Sequence, residues 1–347
     1  MNKGKILVTG GAGFIGSHTA VELSSKGFEV CIADNFSNAR PEVLDAITAI
    51  TGKKPECISI DLCDTDLTAK MFREHRFDAI IHFAAKKLVG ESVLNPMMYY
   101  KNNLLSLMNV VGAAIETGCN NFVFSSSCTV YGQPDELPVR ENSPLKKAES
   151  PYGNTKKIAE DILSDVSKVT PFRTIALRYF NPVGAHASAL IGEYPLGTPS
   201  NLMPIITQCA IGKRPSFQVF GNDYNTPDGS CIRDYIHVTD LAIAHVVAIE
   251  RLLNKSALTA FEVFNLGTGN GVSVFEIINS FEKVNNIKLN FNVAPRRSGD
   301  VEQVWADTSL ANKVLGWKAT HNLDQMVASA WAWEKMLHQK EIKHVNP

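Results

Sequence analysis

The chain has 347 residues, 45% of them apolar and 20% charged, the profile of a globular protein of one large or two modest domains. Its 34 Lys and Arg balance 35 Asp and Glu for a formal net charge of -1, and no run of like charges stands out, which argues against nucleic-acid and membrane-surface partners and for small neutral or compact anionic ligands. Seven cysteines, odd in number and never arranged as CxxC, suggest neither a disulfide framework nor a zinc site, and no metal is expected. The opening MNKGKILVTGG shows no charged-then-apolar leader, and no apolar run approaches the ~18 residues that span a bilayer, so a cytoplasmic location is expected.

Short β-branched runs alternate with helical segments along the first 180 residues. Strands are predicted at 5–10, 28–34, 56–61, 77–84, 121–127 and 173–180, with helices such as 14–26, 64–75 and 103–117 between them. That alternation predicts an α/β fold with a Rossmann-type, doubly wound parallel sheet. From 181 to 230 the chain turns rich in Gly, Pro and Asn, which reads as long loops around a helix near 201–212. Two later strands, 231–238 and 261–267, are expected to return to the first sheet. The expected organisation is a dinucleotide-binding domain over 1–180 and a smaller, interleaved C-terminal α/β substrate domain over 181–347.

The stretch TGGAGFIG (9–16) leaves the first strand and opens the first helix. Gly10, Gly13 and Gly16 permit a tight turn and the close approach of a pyrophosphate to the helix N-terminus, whose free N–H groups and dipole favour an anion. Asp34 ends the second strand at about the ~20-residue distance expected of a carboxylate that grips the adenosine ribose hydroxyls. A negative charge there repels a 2'-phosphate, so NAD is favoured over NADP. Asp61, at the end of the third strand, is placed to meet an adenine amino group, although Asp64 is the stronger candidate to cap the following helix. HFAAKK (82–87) brings small residues and two lysines to the same carboxyl edge.

SSSCTVYG (125–132) and ESPYGNTKK (149–157) carry the chemistry. Tyr152 and Lys156 lie four residues apart, on one face of a helix that begins after Ser150-Pro151. A free phenol has a pKa of ~10 and needs a drop of ~3 units, or ~4 kcal/mol, to act as a base at neutral pH. A unit charge at ~4 Å in an effective dielectric of ~20 supplies about that much. Lys156, with a cationic nicotinamide ring beside it, is the expected source. Ser127 would hold the hydroxyl that Tyr152 deprotonates next to a hydride acceptor, so hydroxyl oxidation is the implied chemistry.

TGGAGFIG, SSSCTVYG and YGNTK in this order resemble the extended short-chain dehydrogenase/reductase family. RYFNPVGAH (178–186), SNLMP (200–204), FGNDYNTPDGSCIRDYIHVTDLA (220–242), FNLGTG (264–269) and RRSGD (296–300) extend the resemblance to its UDP-hexose 4-epimerases over nearly the whole chain. The resemblance implies oxidation at C4 of the sugar by a tightly held NAD and return of the hydride to the opposite face. It implies Tyr152 as base and then acid, Lys156 as its electrostatic partner and a ligand of the nicotinamide ribose, and Ser127 as a second hydroxyl contact. Phe14, Ile15, Asp34, Asn35, Asp61, Leu62, Phe83, Ala84, Lys87, Asn102 and Phe180 fall at positions that contact NAD in the family. Tyr179, Asn181, Asn201, Arg233, Arg297 and Asp300 fall at nucleotide-sugar positions. Guanidinium groups such as Arg233 and Arg297 suit a diphosphate on chemical grounds as well.

Val304 stands where some members carry a bulky tyrosine against the sugar, which implies room for UDP-GlcNAc and UDP-GalNAc beside UDP-glucose and UDP-galactose. Two rival readings are a nucleotide-sugar 4,6-dehydratase and a non-catalytic NAD-binding sensor. The first needs acidic residues directly after the serine strand, where this chain has Cys128 and Thr129. The second would dispense with Tyr152 and Lys156. The resemblance further implies a homodimer built on helices 103–117 and 152–168. Leu104, Leu107, Val111, Ile158 and Ile162 fit a buried stripe that serves either a partner or the protein's own sheet.

Overall fold

The structure, a computed structural model, describes residues 3–297 and 300–345. Its centre is a seven-stranded, wholly parallel sheet in the order β10-β6-β5-β4-β1-β2-β3. The strands are β1 (Lys5–Thr9), β2 (Glu29–Asp34), β3 (Glu56–Ser59), β4 (Ala79–His82), β5 (Asn121–Ser125), β6 (Arg173–Tyr179) and β10 (Phe261–Leu266). The chain runs outward from β1 to β3, then crosses to β4 on the other side of β1. Strand order therefore reverses between β1 and β4, and a crevice opens there at the carboxyl ends, where ligands bind in sheets of this kind.

Both faces of the sheet are covered, which explains why its strands read as continuous apolar runs instead of alternating ones. Ile6, Val8, Ile32, Ile81 and Leu177 point to one face, into a core shared with α1 (Phe14–Ser25), α2 (Val43–Thr51) and α8 (Val238–Leu253). Leu7, Cys31, Ile80, Phe122 and Phe124 point to the other. There they meet α3 (Thr65–Glu74), α5 (Pro96–Thr117) and α6 (Pro151–Val169). The first turn of α5 starts at Pro96, earlier than the periodicity suggested, because a proline at the first helical position supplies a preset φ and lacks only an N–H that would be unpaired there anyway. A short helix, α4 (Val89–Leu94), precedes it.

The remaining elements build the smaller unit. β9 (Ile232–His237) is the centre of a second sheet, pairing with β7 (Asn181–Val183) and β13 (Gln303–Val304) in parallel and with β11 (Gly271–Ser273) antiparallel. β8 (Phe217–Phe220) pairs with β12 (Phe291–Ala294). Helices α7 (Leu202–Ala210), α9 (Val274–Asn285) and α10 (Leu323–Val345) close a core of Ile206, Phe217, Val219, Tyr235, Ile277, Phe281 and Val327. Of the two strands expected to rejoin the large sheet, Phe261–Leu266 does so beside β6, whereas Ile232–His237 does not. The reason is the helix that follows β9 without a loop. α8 carries Leu241, Ala244 and Ile249 onto the face of the large sheet, so the crossing between units is made by a helix.

Asp234 holds the two units in register. It is fully buried in β9, yet its carboxylate accepts from the Thr268 N–H and hydroxyl at 2.8 Å each, the Gly269 N–H at 3.0 Å and the Ala306 N–H at 3.2 Å. Burial pushes the carboxyl above its usual range, and the four donors oppose that push. We expect Asp234→Ala, which strands three backbone N–H groups, to lower stability by roughly 3 kcal/mol or more in urea unfolding. An unchanged midpoint would show that these loops find other acceptors.

Candidate active site

The turn between β1 and α1 has no slack. Gly10 takes φ +67°, and a Cβ there would lie 2.8 Å from the Ala84 nitrogen. A Cβ on Gly16 would lie 2.4 Å from the Gly10 carbonyl oxygen, so this glycine lets the helix seat against the strand. Gly13 is different: its added Cβ meets only the Gly10 oxygen, at 3.2 Å, and otherwise faces open space. Gly13 caps α1 with no side chain of its own, and no acidic residue occupies the first turn. The N–H groups beside Phe14 and Ile15 and the positive end of the helix dipole are thus left for an external anion. The geometry is that of a cradle for a pyrophosphate.

Asp34 stands beside this turn at the end of β2. One carboxylate oxygen accepts from the Ala12 N–H at 3.1 Å and the other from the Phe36 N–H at 2.8 Å, while burial pushes the carboxyl up. Asn35 accepts from the Ser37 N–H. Asp61 is exposed past β3 and accepts from the Cys63 N–H, while Asp64 caps α3 through the Leu67 N–H, which leaves Asp61 without a capping duty. Leu62 is buried below it. Phe83 and Ala84 follow β4, Phe83 with its ring 4.6 Å from that of His245 and Ala84 against Gly10. The Asn102 amide donates to Asn103 at 3.0 Å. Lys87 is exposed and paired with Glu193 at 3.1 Å. Of these, Asp34, Phe83 and Ala84 lie at or just past the carboxyl ends of β2 and β4, the two strands that flank β1.

Across the crevice, Ser150 caps α6 by accepting from the Gly153 N–H, with Pro151 at the first helical position. That start places Tyr152 and Lys156 on the buried face. The Lys156 ammonium donates to the Ser125 carbonyl at 2.6 Å, and lies 4.9 Å from the Phe124 ring centroid and 5.9 Å from that of Tyr152. Ser127 faces Tyr152 and accepts from the Thr129 N–H and hydroxyl. Burial dominates the electrostatics: it pushes the Tyr152 phenol up, with Tyr179 adding to the push and Ser127 opposing it, and pulls Lys156 down to about 7. The depressed phenol expected from Lys156 is therefore not produced by the protein alone.

Of the expected nucleotide-sugar residues, Tyr179 ends β6 of the large sheet and the others lie in the second unit. Tyr179 is buried beneath the site, hydrogen bonded to the Ser125 hydroxyl at 2.5 Å. Phe180 and Val304 share a buried cluster with Val130 and Val139, against which Cys128 packs. Asn181 opens β7, half-buried. Asn201 donates to Glu193 at 2.5 Å. Arg233 lies opposite Val304 in the β9–β13 pairing and donates only to the carbonyls of Ile232 and Glu302, with no carboxylate partner among the described residues. Arg297 is exposed and already engaged by Asp300 through two bonds of 3.1 and 2.7 Å. Ser298 and Gly299 of the same motif lie outside the described residues. Two contributors escaped the sequence reading. The carbonyl of Ser125 has no side-chain signature, and Glu193, which joins Lys87 to Asn201 across the crevice, lies in an irregular loop with no motif.

The sequence matches the family described as GDP-mannose 4,6 dehydratase over residues 7–330. It is 47% identical to the UDP-glucose 4-epimerase of Pasteurella multocida, over 95% of this chain and 97% of that one. The fold superposes with a TM-score of 0.94 on the UDP-glucose 4-epimerase of Stenotrophomonas maltophila solved with NAD and a formylated UDP-arabinopyranose, at 46% identity and covering 97% and 99% of the two chains. For the Bifidobacterium longum UDP-glucose 4-epimerase bound to NAD+ and UDP the TM-score is 0.92, at 44% identity over 96% and 98%. We expect Gly13→Val, whose side chain enters the cradle and not the core, to keep the fold while weakening dinucleotide binding by about tenfold or more in calorimetry. Unchanged affinity would remove the cradle from the site.

Proposed function

The chain belongs to the UDP-glucose 4-epimerase family of extended short-chain dehydrogenases/reductases, and from that premise we propose that Ser127, Tyr152 and Lys156 carry out its NAD-dependent 4-epimerisation of UDP-hexoses. The observation that carries the assignment is the meeting, across one crevice, of a pyrophosphate cradle with a buried Tyr–Lys pair and a facing serine. The open side of Gly13, the uncapped helix start and Asp34 fit NAD. Bound there, NAD supplies the hydride acceptor and donor for C4 and, when oxidised, a positive charge beside the phenol.

Tyr152 takes the proton of the C4 hydroxyl and later returns it, while Ser127 holds the same oxygen in line. Lys156, fixed by the Ser125 carbonyl, keeps a cation within 5.9 Å of the phenol ring. Changing configuration requires the 4-keto sugar to present its other face, so the UDP end must be held and the sugar left loose. Arg233, a cation without a carboxylate partner among the described residues, is suited to hold a diphosphate. Arg297 must be shared with, or released from, Asp300 to do the same. Phe14, Ile15, Asn35, Asp61, Leu62, Phe83, Ala84, Lys87, Asn102 and Phe180 serve the dinucleotide, and Tyr179, Asn181 and Asn201 the nucleotide sugar.

The matched family description names a dehydratase, but elimination of water needs an acid after Ser127, and Cys128 and Thr129 occupy that place. Val304, opposite Arg233, is smaller than the tyrosine some members carry there, and we assign the difference to acceptance of an N-acetyl group. A homodimer is part of the same proposal, since α5 and α6 lie side by side and expose Met97 and Met108. Leu107 and Val111, two of the residues expected in that interface, are instead buried against the chain's own sheet. No helix among the described residues is long and apolar enough to cross a membrane, and the cytoplasmic location expected from the sequence also stands as a proposal.

Purified protein without added NAD is expected to convert both UDP-galactose and UDP-GalNAc, and Tyr152→Phe to lower kcat by about 100- to 10,000-fold. Val304→Tyr should lower the UDP-GalNAc rate relative to UDP-galactose by about tenfold, and an unchanged ratio would discard the wide pocket. Light scattering should give twice the mass of one chain, and a monomer would discard the dimer.

A further inference from the structure

Glu160 lies one helical turn beyond Lys156 on the same face of α6 and is 4% exposed. A carboxylate at that depth is strongly unfavourable unless paired and hydrogen bonded. Its pairing is complete. Arg178 on β6 donates from Nε to one oxygen at 2.9 Å and from Nη2 to the other at 2.5 Å, and the Ser126 hydroxyl donates to the first at 2.5 Å. Arg178 continues the network by donating to the Tyr131 hydroxyl at 3.0 Å and the Glu141 carbonyl at 3.1 Å, and Tyr131 donates to Asn265 at 2.6 Å. A buried chain of polar groups thus joins α6 to β5, β6 and β10 directly beneath the reacting groups.

Ser126 is the link that matters. β5 leaves the sheet at Ser125, and successive side chains of an extended segment point to opposite sides. Ser125 offers its carbonyl to Lys156 and its hydroxyl to Tyr179, Ser127 faces Tyr152, and Ser126 between them turns the other way to Glu160. We propose that Glu160, held by Arg178, is a positioning residue: through Ser126 it fixes the end of β5 so that Ser125 seats Lys156 and Ser127 meets the substrate hydroxyl. The same carboxylate opposes the burial that draws the proton from Lys156. Tyr152 on the same helix and His82 on β4, which burial keeps neutral, are the other titratable groups facing that ammonium.

This inference rests on the epimerase reading of the site, and the test separates the two. Ser126→Ala, which breaks the link and leaves the ion pair intact, and Glu160→Gln are assayed as purified holoenzyme on UDP-galactose, with Tyr152→Phe alongside. Bound NAD is quantified after denaturation, and thermal midpoints are recorded. The expected result is a kcat lowered about 10- to 100-fold in Ser126→Ala, with KM within about twofold, NAD content and midpoint as in wild type, and a loss at least as large in Glu160→Gln. Wild-type kcat in Ser126→Ala overturns the inference and leaves the reading intact, as does a loss of kcat that merely follows a loss of NAD or of folded protein. Should Glu160→Gln fail to fold, Ser126→Ala decides alone. Undiminished activity in Tyr152→Phe overturns the reading itself and the inference with it.

Discussion

A buried ammonium at the carboxyl edge of a parallel sheet is the constraint on which the rest of this molecule turns. Lys156 cannot stay where it is without an acceptor, and the nearest is the carbonyl of Ser125, released from the ladder because β5 ends there. That bond, with the one from the Ser126 hydroxyl to Glu160, docks the helix to the strand end and so sets the distance between the phenol of Tyr152 and the hydroxyl of Ser127. Desolvation sets the cost of this arrangement. It makes the ammonium easy to discharge and the phenol hard to ionise, so the site is poised to respond to any further charge brought into the crevice.

The opposite wall works by leaving things out. Around Gly10 and Gly16 any side chain would collide with backbone, whereas at Gly13 it would enter ligand space. The helix start therefore presents bare N–H groups at the one point where the strand order reverses. Asp34, oriented by two backbone donors, adds a carboxylate at the position where a ribose would lie. Together these give a rigid floor for a dinucleotide, built from residues that hold each other in place before any ligand arrives.

The second unit is threaded through the first and not appended to it. β9 belongs to the small sheet, α8 to the face of the large one and β10 to its edge, so the chain crosses twice within a few dozen residues. Asp234, Arg233 and Val304 sit at this crossing, which means that the residues proposed to face the nucleotide sugar are anchored to the same framework as the helix that carries Tyr152 and Lys156. Asp240 repeats the device further along, accepting from Thr320 and His321 to tie the approach to α10 onto the start of α8. An active site that must hold one end of its substrate and release the other needs such a frame: the anchor must not move when the sugar does.

Much of this was legible in the residues. The six leading strands, the glycine turn, Asp34 and the Tyr152–Lys156 pair follow from local periodicity, turn chemistry and helical spacing, because each depends on neighbours within a few positions. The start of α6 was legible for the same reason, since Ser150 and Pro151 cap it locally. The capping box of Ser273 and Glu276 is an equally local signal for α9. What no local pattern contains is which distant backbone atom meets which side chain. That the Ser125 carbonyl receives Lys156, that Arg297 is taken by Asp300 while Arg233 is not, that Glu193 spans from Lys87 to Asn201, and that β9 stays in the small sheet while β10 joins the large one were decided only by the tertiary structure. Burial sets the protonation balance in the crevice and pairing sets which charges remain free, and both exist only once segments far apart in the chain have packed together.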